Sequence, residues 1–126
     1  MVNKLLKGIK HDQGKLRYDL LPAVAVSKIV EIFGFGANKY GDYNWAKGIN
    51  FSRVYAALQR HINAWWNREE NDPETLLSHL AHAGCCLFFL LHYSLYYKIY
   101  ERFDDRPKYD MDLKIYKQLE VKHEQI

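Results

Sequence analysis

Residues 87–100, LFFLLHYSLYYKIY, constrain what this chain can fold into more than any other segment. Only His92, Ser94 and Lys98 interrupt the run of apolar and aromatic side chains. Wound as a helix, it is apolar or aromatic nearly all round, and such a helix has to be buried on several sides. A chain of 126 residues has room for one domain, so a partner subunit is expected to cover part of that surface. The longest purely apolar run, residues 83–91, is about half a membrane span, and His92 and Lys98 soon follow. No membrane partner is expected. Aromatic residues reach 15%, from ten Tyr, six Phe and three Trp. A small helical core does not need that many rings. The surplus can stack across an oligomer interface or on nucleotide bases.

The remaining composition is that of an ordinary globular chain, with 48% hydrophobic and 26% charged residues. Cys85 and Cys86 are adjacent, a poor geometry for a disulfide, and no CxxC zinc pattern occurs. The N-terminal MVNKLLKGIK lacks the apolar stretch of a signal peptide. These features point to a reducing, cytoplasmic setting, of a microbe or of a virus-infected cell. Charge is uneven: residues 1–66 carry a net +6 and residues 67–126 a net −3. The basic half suits an anionic partner. Without a Lys/Arg block, duplex nucleic acid fits poorly and a small phosphorylated ligand fits better.

Periodicity places the helices. Residues 1–21 read as irregular, broken by Gly8 and Gly14. Pro22 opens a first helix that should stop near Gly34 and Gly36. Residues 34–50, GFGANKYGDYNWAKGIN, hold four glycines and form the least regular part. Ser52 is the expected N-cap of a second helix over about 53–67. Asp72 as N-cap and Pro73 at the first position predict a third helix running to about Arg102. A short amphipathic helix over about 111–123 carries Leu113, Tyr116, Leu119 and Glu120. No convincing strand occurs. The expected class is all-α, an antiparallel helical bundle with a long third helix, an irregular N-terminal segment and an oligomeric assembly. Residues 1–97 form its main part and 98–126 a C-terminal helical extension of the same domain.

A short connection between the second and third helices predicts antiparallel packing. His61 lies six residues before Asn67, and His79 six after Pro73, each about 9 Å along its axis. The two should meet across the hairpin, with His82 one turn further on the same face as His79. Three inward histidines fit metal ligation, phosphate binding or acid–base work. Glu69, Glu70, Asp72 and Glu74 near the turn can add carboxylates. The blander reading is that Asp72 and Glu74 cap a helix and the histidines are hydrogen-bonded core residues. Arg17, Lys39 and Arg60 are candidates for phosphate contacts. Tyr40, Tyr43, Trp45, Trp65 and Trp66 are candidates for base stacking. Cys85 and Cys86 lie mid-helix among apolar residues, where a thiol stays protonated and makes a poor nucleophile.

Four ordered blocks resemble a known family: KHDQGKLRYDLLP (10–22), GANKYGDYNWAKG (36–48), RHINAWW (60–66) and DPETLLSHLAHA (72–83). The family is that of phage dATP/dGTP diphosphohydrolases, at their N-terminal domain, and the resemblance covers about residues 8–95. It implies an all-α nucleotide-handling domain related in outline to MazG-like pyrophosphohydrolases. Those cleave a nucleoside triphosphate to monophosphate and pyrophosphate with Mg²⁺ or Mn²⁺, held by ExxE on one helix and ExxD on the next, and assemble as dimers or tetramers. Here His79 and His82 stand where ExxD would be, and the helix that should carry ExxE has His61 and no carboxylate. Mg²⁺ prefers oxygen ligands. Either a softer metal works with His and Asp/Glu, or the pocket binds a nucleotide without cleaving it.

The leading expectation is a viral or prophage purine deoxynucleoside triphosphate diphosphohydrolase in which metal-activated water attacks phosphorus. His61, Asp72 and Glu74 would be catalytic, and His79 and His82 metal ligands. Arg17, Lys39, Tyr40, Asn44, Trp45, Arg60 and Trp65 would bind substrate. The alternative is a non-catalytic sponge that sequesters nucleotide immune signals, such as cyclic ADP-ribose isomers or cyclic oligonucleotides. A third option is an assembly protein whose aromatic helix only mediates oligomerisation.

Overall fold

The structure is a computed structural model that describes residues 6–124. Among these residues it is all-helical: α1 Ala23–Tyr40, α2 Phe51–Trp66, α3 His79–Leu95, α4 Tyr97–Tyr100 and α5 Tyr109–Glu124, with short 3₁₀ turns at Tyr18–Leu20, Asn44–Lys47 and Glu101–Phe103. The only extended pairing among the described residues is an isolated antiparallel bridge between Asn71 and Ser78.

Helix α1 does not stop at Gly34 and Gly36 but runs through both to Tyr40. A mid-helix glycine costs about 1 kcal/mol. The turn around Ile32 and Phe33 is anchored in a buried cluster with Ala81 and Cys85, which offsets that cost. The helix ends instead at Gly41, whose N–H still bonds the Ala37 carbonyl and whose φ of +95° turns the chain out of the helix. Helix α2 starts one residue before the expected Ser52 cap, with Asn50 in the N-cap position. Ser52 is held from outside: its N–H donates to Asp105 at 2.8 Å and its hydroxyl also bonds that carboxylate. An acid at a helix N-terminus is electrostatically favoured.

The expected thirty-residue third helix is not formed. Asp72 accepts the Glu74 N–H at 2.8 Å and so closes a local turn rather than capping a helix at Pro73. Leu76 then takes a left-handed φ of +61°, which no α-helix continues. Helix α3 therefore begins at His79, capped by the Ser78 hydroxyl, which accepts from the Ala81 N–H. At the other end, Tyr96 leaves the helical region and the chain bends by 101° into residues 97–103. No single helix among the described residues is long and apolar enough to cross a membrane.

Helix α3 is central and packs against both α1 and α2. The start of α2 meets the end of α3, where the Phe51 and Tyr93 rings stack in parallel at 5.7 Å. The end of α2 meets the start of α3, so the pair is antiparallel, although residues 67–78 make the connection longer than the short one expected. The bend after α3 swings Tyr100 back onto Tyr93, with ring centroids 4.6 Å apart. Phe51, Val54, Tyr93 and Tyr100 form one buried cluster. Two phenol hydroxyls then clamp the loop before α2: Tyr93 donates to the Trp45 carbonyl and Tyr100 to the Ala46 carbonyl, both at 2.6 Å. Gly48 closes that loop at a φ of +106°, and a Cβ there would overlap the Phe103 ring. Residues 98–105 are thus bound into the fold through Tyr100, Phe103 and Asp105.

This arrangement corrects the expected use of the rings. Tyr93, Tyr100 and Phe89 pack within the chain. The exposed face of α3 is instead mostly leucine: Leu80, Leu87, Leu91 and Leu95, beside Phe88. Helix α5 exposes Ile115, Tyr116, Leu119 and Val121; Leu113 lies outside the residues whose side chains are described.

Candidate functional site

The expected meeting of the histidines occurs, by a different route. His79 is the first residue of α3, not two turns into it. The loop between α2 and α3 compensates by folding back on itself. Arg68 takes a φ of +75°, the Asn71–Ser78 bridge closes the loop, and the His79 N–H bonds the Glu70 carbonyl. As a result His61 Nδ1 and His79 Nδ1 lie 2.9 Å apart. The His82 ring stacks on His61 with centroids 4.5 Å apart and planes 5° from parallel.

The nearest carboxylates divide between the histidines. Glu69 Oε1 accepts from His79 Nε2 at 2.6 Å. Asp72 Oδ2 lies 3.7 Å from His82 Nε2, which also bonds the Thr75 hydroxyl at 2.8 Å. His79 is buried, and both of its nitrogens are engaged. Burial and the neighbouring His82 and His79 lower the His61 pKa to about 4, and burial also lowers that of His82. His61 is therefore a neutral imidazole at pH 7, the form that ligates metals or accepts protons.

One ligand atom from each of His61, Asp72 and His82 falls within 4.8 Å of the others. Two imidazoles and one carboxylate do not fit the hard Mg²⁺ ion of a MazG-like enzyme. They do fit a borderline transition cation such as Zn²⁺ or Co²⁺. The converging set takes His61 and Asp72, expected as catalytic, together with His82, expected as a ligand. His79, also expected as a ligand, is turned toward Glu69 and His61. Glu74 is exposed in the turn, where its charge reaches His82.

The expected substrate contacts separate. Tyr40 and Arg60 line one open groove of about 670 Å³ between the end of α1, α2 and α3. That volume is within the usual range for small-molecule sites, about 300–1,000 Å³. Arg53, which sequence reasoning passed over, lines the same groove with Ala56, Ala57 and Phe89. Its spacing of seven from Arg60 was the available signal, since i and i+7 share a helix face. Arg17 lies elsewhere, in a hollow formed by residues 12–19, with its guanidinium held by Asp19 through two 2.7 Å hydrogen bonds. Lys39 is exposed, 5.2 Å from the Tyr40 ring. Trp45 is half-buried in the aromatic cluster, stacked on Phe89 at 5.5 Å and edge-on to His92 at 4.9 Å, so one of its ring faces is taken within the chain. Asn44 is half-buried in the 3₁₀ turn beside it, and Trp65 is half-buried against Trp66. Burial pushes the Cys85 thiol up to about 12, as a mid-helix apolar position requires.

A family model described as dATP/dGTP diphosphohydrolase, N-terminal, matches residues 6–106. A curated relative, the dATP/dGTP diphosphohydrolase of Salmonella phage PMBT28, is 34% identical over 85 residues. Those residues are 68% of this chain and 29% of the relative, so the chain spans less than a third of that protein's length. No solved structure matches the chain. The family match continues past residue 95 to include Tyr100, Phe103 and Asp105, the residues that the bend after α3 returns to the core.

Proposed function

This chain belongs to the family of dATP/dGTP diphosphohydrolase N-terminal domains, and from that membership we propose that it is a cation-dependent diphosphohydrolase of purine deoxynucleoside triphosphates. The observation that carries the reading is the convergence of His61, Asp72 and His82 at the junction of α2 and α3. In the proposed reaction, water attacks phosphorus, the bond to the leaving pyrophosphate breaks, and a nucleoside monophosphate remains. A divalent cation at this site supplies Lewis acidity toward a phosphoryl oxygen and lowers the pKa of water. His61, Asp72 and His82 hold the cation, and Glu74 adds negative charge at the rim. Arg60 and Arg53 neutralise phosphate charge along the groove, and Tyr40 offers a ring face to the base.

Purified protein incubated with dATP or dGTP and Mg²⁺, Mn²⁺, Co²⁺ or Zn²⁺ is expected to release pyrophosphate. Turnover should be faster with the transition cations than with Mg²⁺. No turnover with any cation defeats the hydrolase reading. The absence of any carboxylate on α2 favours one second reading, a sponge that binds a nucleotide signal and releases it intact on denaturation. Calorimetric titration followed by recovery of the ligand separates the two.

A homo-oligomer is part of the same proposal. The leucine face of α3 is the surface a second copy would cover. Mass in solution should be a multiple of the chain mass, and Leu87→Glu with Leu91→Glu should reduce it to one. A wild-type monomer refutes the assembly.

A further inference from the structure

We infer that residues 6–21 are an exchange arm: the arm of one copy lies along the leucine face of α3 on a second copy, which returns its own arm. The inference rests on the homo-oligomer proposed above and names the segment that covers each face.

The arm has its own shape but packs on nothing in its own chain. Gly14, at a φ of +79°, and a hydrogen bond from the Lys15 N–H to the Asp12 carbonyl make a first turn. The 3₁₀ turn at Tyr18–Leu20 makes a second, and the Arg17 guanidinium forks onto Asp19. All of these contacts are internal to the arm. Residues 6–25 are exposed without a break. Among them Leu6, Ile9, Leu16, Tyr18, Leu20 and Leu21 are 53% to 85% exposed. Single apolar side chains at a surface are ordinary, but a contiguous set marks an interaction site.

The leucine face is the matching surface. Leu80, Leu87, Leu91 and Leu95, with Phe88, fall on one side of α3 and are exposed. From Leu80 to Leu95 that face is about 22 Å long. The sixteen residues of the arm reach up to about 50 Å when extended, so even with its two turns the arm can follow the face. Specific interfaces take about 20–30 residues a side. The arm and the five face residues together reach the lower end of that range, and a two-fold exchange makes the contact twice.

Charge selects this face over the groove. The arm carries four Lys/Arg against two Asp. Among the described residues, Lys7, Lys10 and Lys15 form no ion pair. The turn before α3, next to Leu80, presents Glu70 and Glu74, which are exposed and also form none among those residues. A basic arm complements that acidic end. The groove of Arg53 and Arg60 carries the arm's own sign and repels it.

Complementation between two variants tests the exchange. Leu16→Glu with Leu20→Glu spoils the arm and spares the face; Leu87→Glu with Leu91→Glu does the reverse. Mass in solution should fall from a multiple of the chain mass to a single chain in each variant alone. Helical content should stay that of the wild type, since the arm touches none of its own helices. An equimolar mixture of the two should form a heterodimer, because one intact arm then meets one intact face. A mixture that stays monomeric overturns the exchange. An oligomer that survives Leu16→Glu with Leu20→Glu overturns it too, and leaves an assembly through leucine faces alone. A wild-type monomer defeats both the exchange and the assembly. Pyrophosphate release by the wild type is measured separately and bears only on the hydrolase reading.

Discussion

His61→Asn is expected to lower dATP or dGTP turnover at least about 100-fold, the scale on which a positioned acid, base or ligand acts, while the protein stays folded. Asparagine is the informative substitution because its amide can still hydrogen-bond His79 Nδ1, which otherwise would be left buried and unpaired. Such an orphan costs about 1–3 kcal/mol. His61→Ala should therefore show both defects, lost turnover and a lowered melting temperature, and His61→Asn mainly the first. Steady-state release of pyrophosphate, Zn²⁺ titration and thermal melting separate them. Turnover in His61→Asn equal to that of the wild type would reduce the histidine cluster to core packing.

The largest effect on stability is expected at Tyr93, which has no exposed surface. Its ring stacks on Phe51 and packs against Tyr100, and its hydroxyl donates to the Trp45 carbonyl at 2.6 Å. Tyr93→Ala removes the ring and should cost about 3–5 kcal/mol, lowering the melting temperature by more than about 10 °C. Tyr93→Phe keeps the ring and removes one of the carbonyl's two donors, the Gly48 N–H remaining at 3.1 Å, for about 0.5–1.5 kcal/mol. Because the carbonyl belongs to the loop of residues 43–48, the Phe variant should also raise amide exchange there. Two variants that melt with the wild type would show that the clamp is not part of the stable fold.

Much of the candidate site was legible because helical spacing is a local property. His61 lies on the same α2 face as Leu58, and His79 and His82 share a turn; those relations depend only on 3.6 residues per turn. The class was legible for the same reason, since no run of residues alternated as a strand does. The resemblance of four ordered blocks identified the family, which the match over residues 6–106 bears out.

Helix ends were less legible. Gly34 and Gly36 carry the usual signs of a stop, and Asp72-Pro73 those of a start, yet α1 passes through the first pair and α3 ignores the second. A cap or a glycine is worth about 1 kcal/mol. Burying Ile32, or closing the residue 69–78 loop, outweighs it. Trp45 shows the same limit for a side chain. Its neighbours along the chain are polar and flexible, but its neighbours in space are Phe33, Phe89 and His92.

The sequence by itself determined that the chain is helical, that its third helix has more apolar surface than one chain hides, and that its histidines share one inward face. Each of these follows from residue type and helical period. Tertiary structure alone decided which carboxylate meets which histidine. It also turned Tyr93 and Tyr100 inward and left the leucines out, and set Arg53 beside Arg60 in a groove. These depend on where the chain bends at residues 68–78 and 96. Each bend is set by a few backbone angles whose cost is repaid only by contacts between residues distant in sequence.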